Sequence, residues 1–319
     1  MFAEVDVFPR YFRKKRGKAV VRNFIADQEI RKEFGAEMRS YIKKRYFKDP
    51  ELSSFHVQTT LFSIPIYSLI CFKRDDDLFN SFGPAYQNAL RLFALYHETG
   101  HTLIQEGDPV DKTHPYQECA ADAYAALRFF QKFGQEAVPV LSMWSWMRAY
   151  DAIAYDHTKH LTTTVLDKII ADGAAENYFS GLTPPEIVDR ARSYAEEWTP
   201  SPETLAAARV AFKGGGLKKY DLVSKTCLAS PDKFTFYIGA KIFQPLLHSE
   251  GVRAGDKIYQ IPDAEKHKYT AMIATRAEAM TLSDVFNKNA ARAPAQETSA
   301  IEMLKVHLPQ GQHRLVFNL

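Results

Sequence analysis

The chain has 319 residues, of which 46% are hydrophobic and 25% are charged, a composition typical of a globular protein with one or two full cores. Its formal net charge of +3 excludes a strong polyanion binder acting through the whole surface. No apolar run reaches the roughly 18 residues that a bilayer span needs, so we predict no membrane span.

Cysteine usage and the N-terminal segment bear on the compartment. The three cysteines, Cys71, Cys119 and Cys227, are widely spaced and odd in number, which fits reduced thiols. Residues 1–16 carry charges without a following hydrophobic segment, so no secretory signal is visible. We therefore expect a cytoplasmic protein, or one exported without a classical signal peptide. A bacterial effector would be an example of the second case, by analogy alone.

A basic segment, residues 10–18, precedes the first predicted element. It holds six basic residues in nine, interleaved with Tyr11 and Phe12, and such a patch can contact nucleic acid, acidic lipid or an acidic protein surface. A solvated N-terminal arm is the simpler interpretation. Because no nucleic-acid-binding motif accompanies the segment, we predict no nucleic-acid partner.

The first predicted elements are a helix and a pair of strands. Residues 24–46 carry apolar side chains at helical spacing. Residues 55–72 are rich in β-branched and aromatic side chains and predict one or two strands around Pro65, which suits a strand edge or a bulge. A peptidase can hold an extended substrate against an exposed edge of this kind. Residues 74–77, Arg-Asp-Asp-Asp, indicate a charged turn.

The motif that dominates the chain lies in the next predicted helix. Residues 89–104 are amphipathic at helical spacing and contain His97-Glu98-x-x-His101. Because residues four apart on a helix share a face, both imidazoles can bind one metal ion. Glu98 lies beside that point and can take a proton from a bound water molecule. The spacing predicts a catalytic zinc site, although the same motif also arises by chance in unrelated helices.

A second helix is predicted to supply the third ligand. A turn at residues 107–109 ends the first helix, and the helical pattern resumes near Pro115 and continues to Gly134. Glu118 can complete a His2Glu site, because its apolar neighbours favour burial and a buried carboxylate needs a partner. Asp122, one turn further on, can accept the outward N–H of a ligating imidazole and fix its tautomer.

Alternatives stay open for this helix. Glu118 and Asp122 could instead form a solvated acidic face on the protein surface. Other candidate third ligands lie between the two helices: Asp108, Asp111 and His114. The small side chains of Ala121 and Ala125 would let the second helix pack closely against the first, which favours the metal site.

Taken together, the two helices carry a pattern, His-Glu-x-x-His followed by Glu-x-x-Ala-Asp, that resembles the gluzincin group of zinc metallopeptidases. The resemblance implies that the Zn2+ ligands are His97, His101 and Glu118. It also implies that Glu98 is the general base and that Asp122 is the orienting carboxylate. It also implies a zincin-like catalytic core of two active-site helices and a small sheet. It covers about residues 89–134, less than a fifth of the chain.

A buried helix is predicted at residues 138–155, and the segment at its end holds candidates for stabilising the oxyanion of peptide hydrolysis. A Tyr or His donor from a downstream helix can serve this role. The candidates are His157, placed first, with Tyr155 and His160. Ordinary packing or surface positions, and a second metal at His157 and His160, are the alternatives.

The remaining chain predicts two more helices and a C-terminal lobe. The helices begin at residues 183–186 and 201–203, and the second ends at residues 214–216, a Gly-Gly-Gly boundary. We predict a zincin-like domain at 1–213 and a C-terminal α+β lobe of open role at 217–319. Within the lobe, the pattern favours strands at 233–243, 257–261 and 314–317 and a helix at 271–286.

These patterns predict an α+β fold that is mainly α, with a zincin-like core and a C-terminal α/β lobe. They predict a zinc-dependent endopeptidase acting on a protein or peptide substrate, with water activated by zinc and Glu98. The first alternative is a non-catalytic, regulatory zincin-like protein that binds a partner protein, for which the basic segment would suit docking. The second is a chance motif in a structural protein. Stoichiometric zinc and chelator-sensitive peptide cleavage separate the three.

Overall fold

The structure is a computed structural model, and it describes part of the chain. The described residues are 18–24, 54–61, 64–73, 84–104, 114–155, 158–174, 179–212, 226–248, 252–254, 257–259, 261–285, 300, 304 and 315–317, for some of which only the backbone is described. Several predictions lie outside these residues: the basic segment up to residue 17, the turns at 74–77 and 107–109, Asp108, Asp111 and the glycine boundary at 214–216. The helix predicted over 24–46 also lies outside them, except for Phe24, which belongs to a strand instead.

The strands of the N-terminal part form a three-stranded sheet. Its strands are β1 (Lys18–Phe24), β2 (Ser54–Leu61) and β3 (Ile64–Lys73), in the order β1-β3-β2. β1 runs parallel to β3, and β2 runs antiparallel to it. The β2–β3 register shifts at Thr59/Thr60, where Thr60 pairs with Pro65, and β1 pairs with β3 only from Tyr67 onward. Pro65 therefore lies at an irregular position with one neighbouring strand, where its missing N–H is tolerated.

Helices make up most of the described chain, as the sequence predicts. They are α1 (Pro84–Ile104), α2 (His114–Phe133), α3 (Ala137–Tyr155), α4 (Thr163–Ala174), α5 (Pro184–Trp198), α6 (Pro202–Phe212), α7 (Lys233–His248), α8 (Asp263–Glu278) and α9 (Leu282–Val285). 3₁₀ turns at Gly134–Glu136 and Thr158–His160 lie before α3 and α4. Short strands β4 (Val252–Ala254), β5 (Lys257–Tyr259) and β6 (Leu315–Phe317) pair in the order β5-β4-β6. None of the described helices combines the length and hydrophobicity of a bilayer span.

The strand predicted at residues 233–243 is wrong, because these residues form the first part of α7. Residues 234–238, Phe-Thr-Phe-Tyr-Ile, have the aromatic and β-branched composition of a strand. All five are buried, and a helix buried on every side has no polar stripe from which its period can be read. Asp232 also begins the helix, since its carboxylate accepts hydrogen bonds from the backbone N–H and the hydroxyl of Thr235.

The contact between α1 and α2 is unusually close at one glycine. A Cβ placed on Gly100 would lie 2.9 Å from the Cα of Ala121 and 3.0 Å from its carbonyl oxygen. These are backbone atoms, which cannot move aside by a change of rotamer. The close approach predicted from the small side chains of α2 therefore occurs at Ala121, and it brings the polar residues of the two helices together.

Gly100→Ala should destabilise the fold and weaken metal binding, since the added methyl group must separate α1 from α2. Overpacking costs about 1–3 kcal/mol, and the higher helix propensity of alanine offsets up to about 1 kcal/mol of this. Gly181→Ala is the matched control, because nothing lies within 4 Å of a Cβ at that position. Thermal unfolding of both variants measures the effect, and equal midpoints for the two would contradict the packing account.

Helices on both sides of the predicted domain boundary contribute to one hydrophobic core. α7 lies against α3, and the indole N–H of Trp146 donates to the carbonyl of Ile242 at 3.5 Å. Asp167 of α4 accepts hydrogen bonds from Lys241 at 2.8 Å and from Tyr237, both on α7. The C-terminal segment is therefore attached to the helices that follow α2.

Candidate metal centre

The two motif histidines lie one turn apart on α1 and face each other. Their ring centroids are 4.6 Å apart, and their Nε2 atoms are separated by 3.1 Å. The helix is held in this rotation by fully buried apolar side chains, Leu90, Phe93 and Leu103. Both imidazoles therefore direct Nε2 toward the same point.

Glu118 of α2 completes a three-residue group. Its Oε2 lies 3.4 Å from His97 Nε2, and its Oε1 lies 3.7 Å from His101 Nε2. One ligand atom from each of the three residues lies within 4.8 Å of the other two, so the group could hold a metal ion. A tetrahedral site with ligands about 2.1 Å from the ion has edges of about 3.4 Å. The donor separations are close to that edge, and the donor set fits such an ion.

Asp122 fixes the orientation of His97. The Nδ1 atom of His97 donates to Asp122 Oδ1 at 2.6 Å, which leaves Nε2 facing Glu118 and His101. The Asp122 side chain is 0% exposed. It also accepts hydrogen bonds from Arg148 of α3, at 2.8 and 3.1 Å, and from the Thr162 hydroxyl at 2.5 Å. The Asp122 carboxylate thus contacts the outer nitrogen of His97 and belongs to a larger hydrogen-bond network.

Burial and neighbouring charges act in opposite directions on these groups. Burial lowers the pKa of His97, but the charge and hydrogen bond of Asp122 outweigh it and raise the pKa to about 10. Burial raises the pKa of Asp122, yet the Arg148 guanidinium and His97 hold it well below its usual range. Burial also raises the pKa of Glu118, but hydrogen bonds from His101, His160 and His97 keep it well below normal. Both carboxylates are therefore ionised at neutral pH.

These shifts predict how metal-free protein responds to pH. Protonated His97 stabilises the folded protein. This stabilisation is complete below the pKa of about 6.5 that histidine has in the unfolded chain, and it is lost as pH rises toward 10. The ionised carboxylates of Asp122 and Glu118, whose pKa values are lowered in the fold, also stabilise the folded protein. Their contribution is present above about pH 4 and is lost on acidification.

In chelator-treated protein we expect the unfolding free energy to decline between pH 6.5 and 10 by an amount on the order of a few kcal/mol. The His97→Gln variant should lack the part of this decline between pH 6.5 and 8.5, because glutamine does not titrate and the buried thiol of Cys119 contributes only above its unfolded pKa of about 8.5. Denaturant unfolding across the pH range measures both. A wild-type profile that is flat from pH 6.5 to 10 would disprove the proposed charge pair.

Glu98, predicted as the general base, directly follows His97 in α1. The residue is 6% exposed, so its side chain is buried rather than directed into solvent. Cys119, which follows Glu118, is also buried, and burial raises the pKa of its thiol to about 12. Cys119 is therefore a protonated packing residue at neutral pH.

Of the three oxyanion candidates, the structure brings His160 to the site. Its Nε2 lies 3.5 Å from Glu118 Oε1, and its side chain is 27% exposed. Burial lowers the pKa of His160, which favours a neutral imidazole. His157 and the side chain of Tyr155 lie outside the described residues, as does the side chain of His114, so their predicted roles are not tested.

The sequence patterns did not predict that Arg148 and Thr162 belong to the site. Arg148 stands alone as a basic residue in the apolar run of α3, and a charge in such a run needs a buried partner, which is the signal that could have identified it. Thr162 carries no comparable signal in the sequence. Both residues reach Asp122 from distant parts of the chain, 26 and 40 residues away.

No family model, curated protein or solved structure matches this chain. The resemblance to the gluzincins accordingly rests on residues 89–134 alone.

Proposed function

We propose that the chain is a zinc-dependent peptidase that hydrolyses peptide bonds in a protein or peptide substrate. The observation that carries the proposal is the convergence of two imidazole nitrogens and one carboxylate, with donor separations of 3.1, 3.4 and 3.7 Å. Two histidines and a glutamate are the donor set of many catalytic zinc sites, in which a fourth position stays open for water or substrate. His97, His101 and Glu118 would hold the ion.

A bound zinc ion supplies Lewis acidity, which makes a water molecule more acidic and polarises the scissile carbonyl group. Glu98 accepts the proton of the attacking water and delivers it to the nitrogen of the leaving amine. Glu98 is buried, which keeps its carboxylate away from bulk solvent. Proton transfers between fixed groups are favoured there because charge interactions are stronger in a dry site.

His160 is the described residue best placed to act on the substrate side. Its ring lies beside Glu118 and is more exposed than the His97 and His101 rings. A neutral imidazole has one N–H, which here faces Glu118. With Glu118 bound to the ion, this N–H would be released to donate to the oxygen that gains negative charge during attack. His157 and Tyr155 stay candidates for the same role.

We also propose that α1 and α2, together with the β1–β3 sheet, form a zincin-like core. α1 lies beside β2 and β3 in the fold, so the sheet borders the helix that carries the histidine pair. An extended peptide could pair with an edge of this sheet in the manner proposed from the sequence, and we propose that the enzyme is an endopeptidase.

Chelator-sensitive cleavage tests the function directly. Purified protein is incubated with a fluorogenic peptide library, with and without a zinc chelator, and zinc is then added back. We expect hydrolysis that stops on chelation and returns with zinc. Zinc binding without any hydrolysis would reject the peptidase in favour of the regulatory, partner-binding alternative, and absence of zinc binding would reject both.

A further inference from the structure

We propose that Arg148 and Thr162 are positioning residues for the metal centre, which clamp Asp122 so that His97 presents its Nε2 atom to the ion. The inference rests on the proposed function, and it concerns residues that do not contact the metal. Arg148 comes from α3, and Thr162 immediately precedes α4. The clamp therefore ties the orientation of a ligand on α1 to two helices that carry no ligand.

Both oxygens of the Asp122 carboxylate accept two hydrogen bonds from neighbouring side chains. Oδ1 accepts from His97 Nδ1 at 2.6 Å and from Arg148 Nη2 at 3.1 Å. Oδ2 accepts from Arg148 Nε at 2.8 Å and from Thr162 Oγ1 at 2.5 Å. A carboxylate has about four lone-pair positions. With all of them occupied by donors from three directions, the plane of the carboxylate has little freedom to rotate.

The bidentate contact between Arg148 and Asp122 sets the direction of the hydrogen bond between Asp122 and His97. Two N–H groups of the planar guanidinium meet both carboxylate oxygens and hold the two planes together, which a lysine ammonium cannot do. Arg148 is itself restrained, since its guanidinium carbon lies 5.3 Å from the centre of the Trp144 ring. Asp122 is 0% exposed, so no solvent contact competes with this arrangement.

The surroundings of the second histidine ligand, His101, explain why the orientation of His97 matters. His101 Nδ1 is buried and has no hydrogen-bond partner within the described part of the chain, so the outer nitrogen of that ring is not anchored there. In the described part of the chain, the His97–Asp122 hydrogen bond is then the contact that holds an outer nitrogen of the histidine pair. Outer contacts of this kind typically change metal affinity by about 10–100-fold when they are removed.

Thr162 links the clamp to the opposite side of the site. Its backbone N–H donates to the carbonyl of His160 at 2.8 Å, in the turn that brings His160 to Glu118. The Thr162–Asp122 hydrogen bond therefore holds the turn bearing His160 as well as the carboxylate behind His97. Its loss should disturb both sides of the metal centre.

The test compares four variants of the full chain. Arg148→Lys keeps the charge and loses the planar fork; Thr162→Val removes the hydroxyl at constant volume; Thr162→Ser restores it. Tyr237→Phe is the matched control, because it removes another hydroxyl bonded to a buried carboxylate, that of Asp167, whose side-chain partners Ser145, Tyr237 and Lys241 are not among the residues of the metal centre. Zinc dissociation constants come from competition with a chelating dye, Co2+ absorption spectra report ligand geometry, and thermal midpoints report stability.

We expect Arg148→Lys and Thr162→Val to raise the zinc dissociation constant about 10–100-fold and to alter the Co2+ bands. Thr162→Ser should bind like wild type. Tyr237→Phe should lower the thermal midpoint as much as Thr162→Val does, while leaving zinc affinity and the Co2+ spectrum unchanged. Wild-type affinity in both clamp variants would overturn the inference while the proposed peptidase stands. Wild-type protein that binds no zinc would reject the proposed function and the clamp together.

Discussion

The Glu98→Gln variant should retain stoichiometric zinc and lose peptide hydrolysis, with kcat/KM reduced by at least about 10²–10⁴-fold, the usual contribution of a general base. Glutamine has nearly the same size as glutamate, so the buried position of residue 98 is filled without a cavity. Its amide cannot accept the proton of the attacking water. Binding of the metal and binding of the peptide should persist, because neither uses the proton that Glu98 transfers.

Glu136→Gln is the matched control for this experiment, since it makes the same chemical change at an exposed position in the turn before α3. Kinetics on a fluorogenic peptide, zinc analysis by mass spectrometry and thermal unfolding are measured on both variants. Hydrolysis by Glu98→Gln at the wild-type rate would remove the base role. Loss of zinc in the same variant would instead make Glu98 part of the metal-binding set.

Removing either of two ligands should abolish the metal centre. Glu118→Gln replaces an ionised carboxylate, held by three histidines, with a neutral amide, and His101→Ala removes one of the converging nitrogens. We expect each to weaken zinc binding by more than about 100-fold, since an inner ligand contributes more than the outer contacts whose loss costs about 10–100-fold.

Controls for the ligand variants come from exposed positions of the same residue types. His267→Ala on α8 removes an exposed imidazole, and Glu136→Gln again supplies the carboxylate control. Chelator competition gives the zinc affinity of each protein. Stoichiometric, tight zinc in Glu118→Gln would show that the third ligand comes from elsewhere, for which His114, Asp108 and Asp111 stay the alternatives.

The arrangement of this site was predictable only where it depends on local spacing. His97 and His101 share a helix face because they are four residues apart, and Glu118 and Asp122 are related in the same way on the next helix. The structure brings these residues together across the α1–α2 contact at Gly100. Periodicity within each helix, with one close packing contact, is enough to explain that part.

The partners of Asp122 were not predictable in this way. Arg148 and Thr162 lie 26 and 40 residues further along the chain, and their meeting depends on how α3 and α4 pack against α2. No spacing rule relates such residues. The error at α7 has a related cause, because a helix enclosed by other elements on all sides loses the polar and apolar alternation that identifies it.

X-ray absorption at the zinc edge of the purified wild-type protein tests the proposed metal centre most directly. We expect one zinc ion per chain whose nearest shell consists of nitrogen and oxygen at about 2.0–2.2 Å, with the outer-shell scattering of two imidazole rings. A shell containing sulfur at about 2.3 Å, scattering from fewer than two imidazoles, or protein without zinc would contradict it.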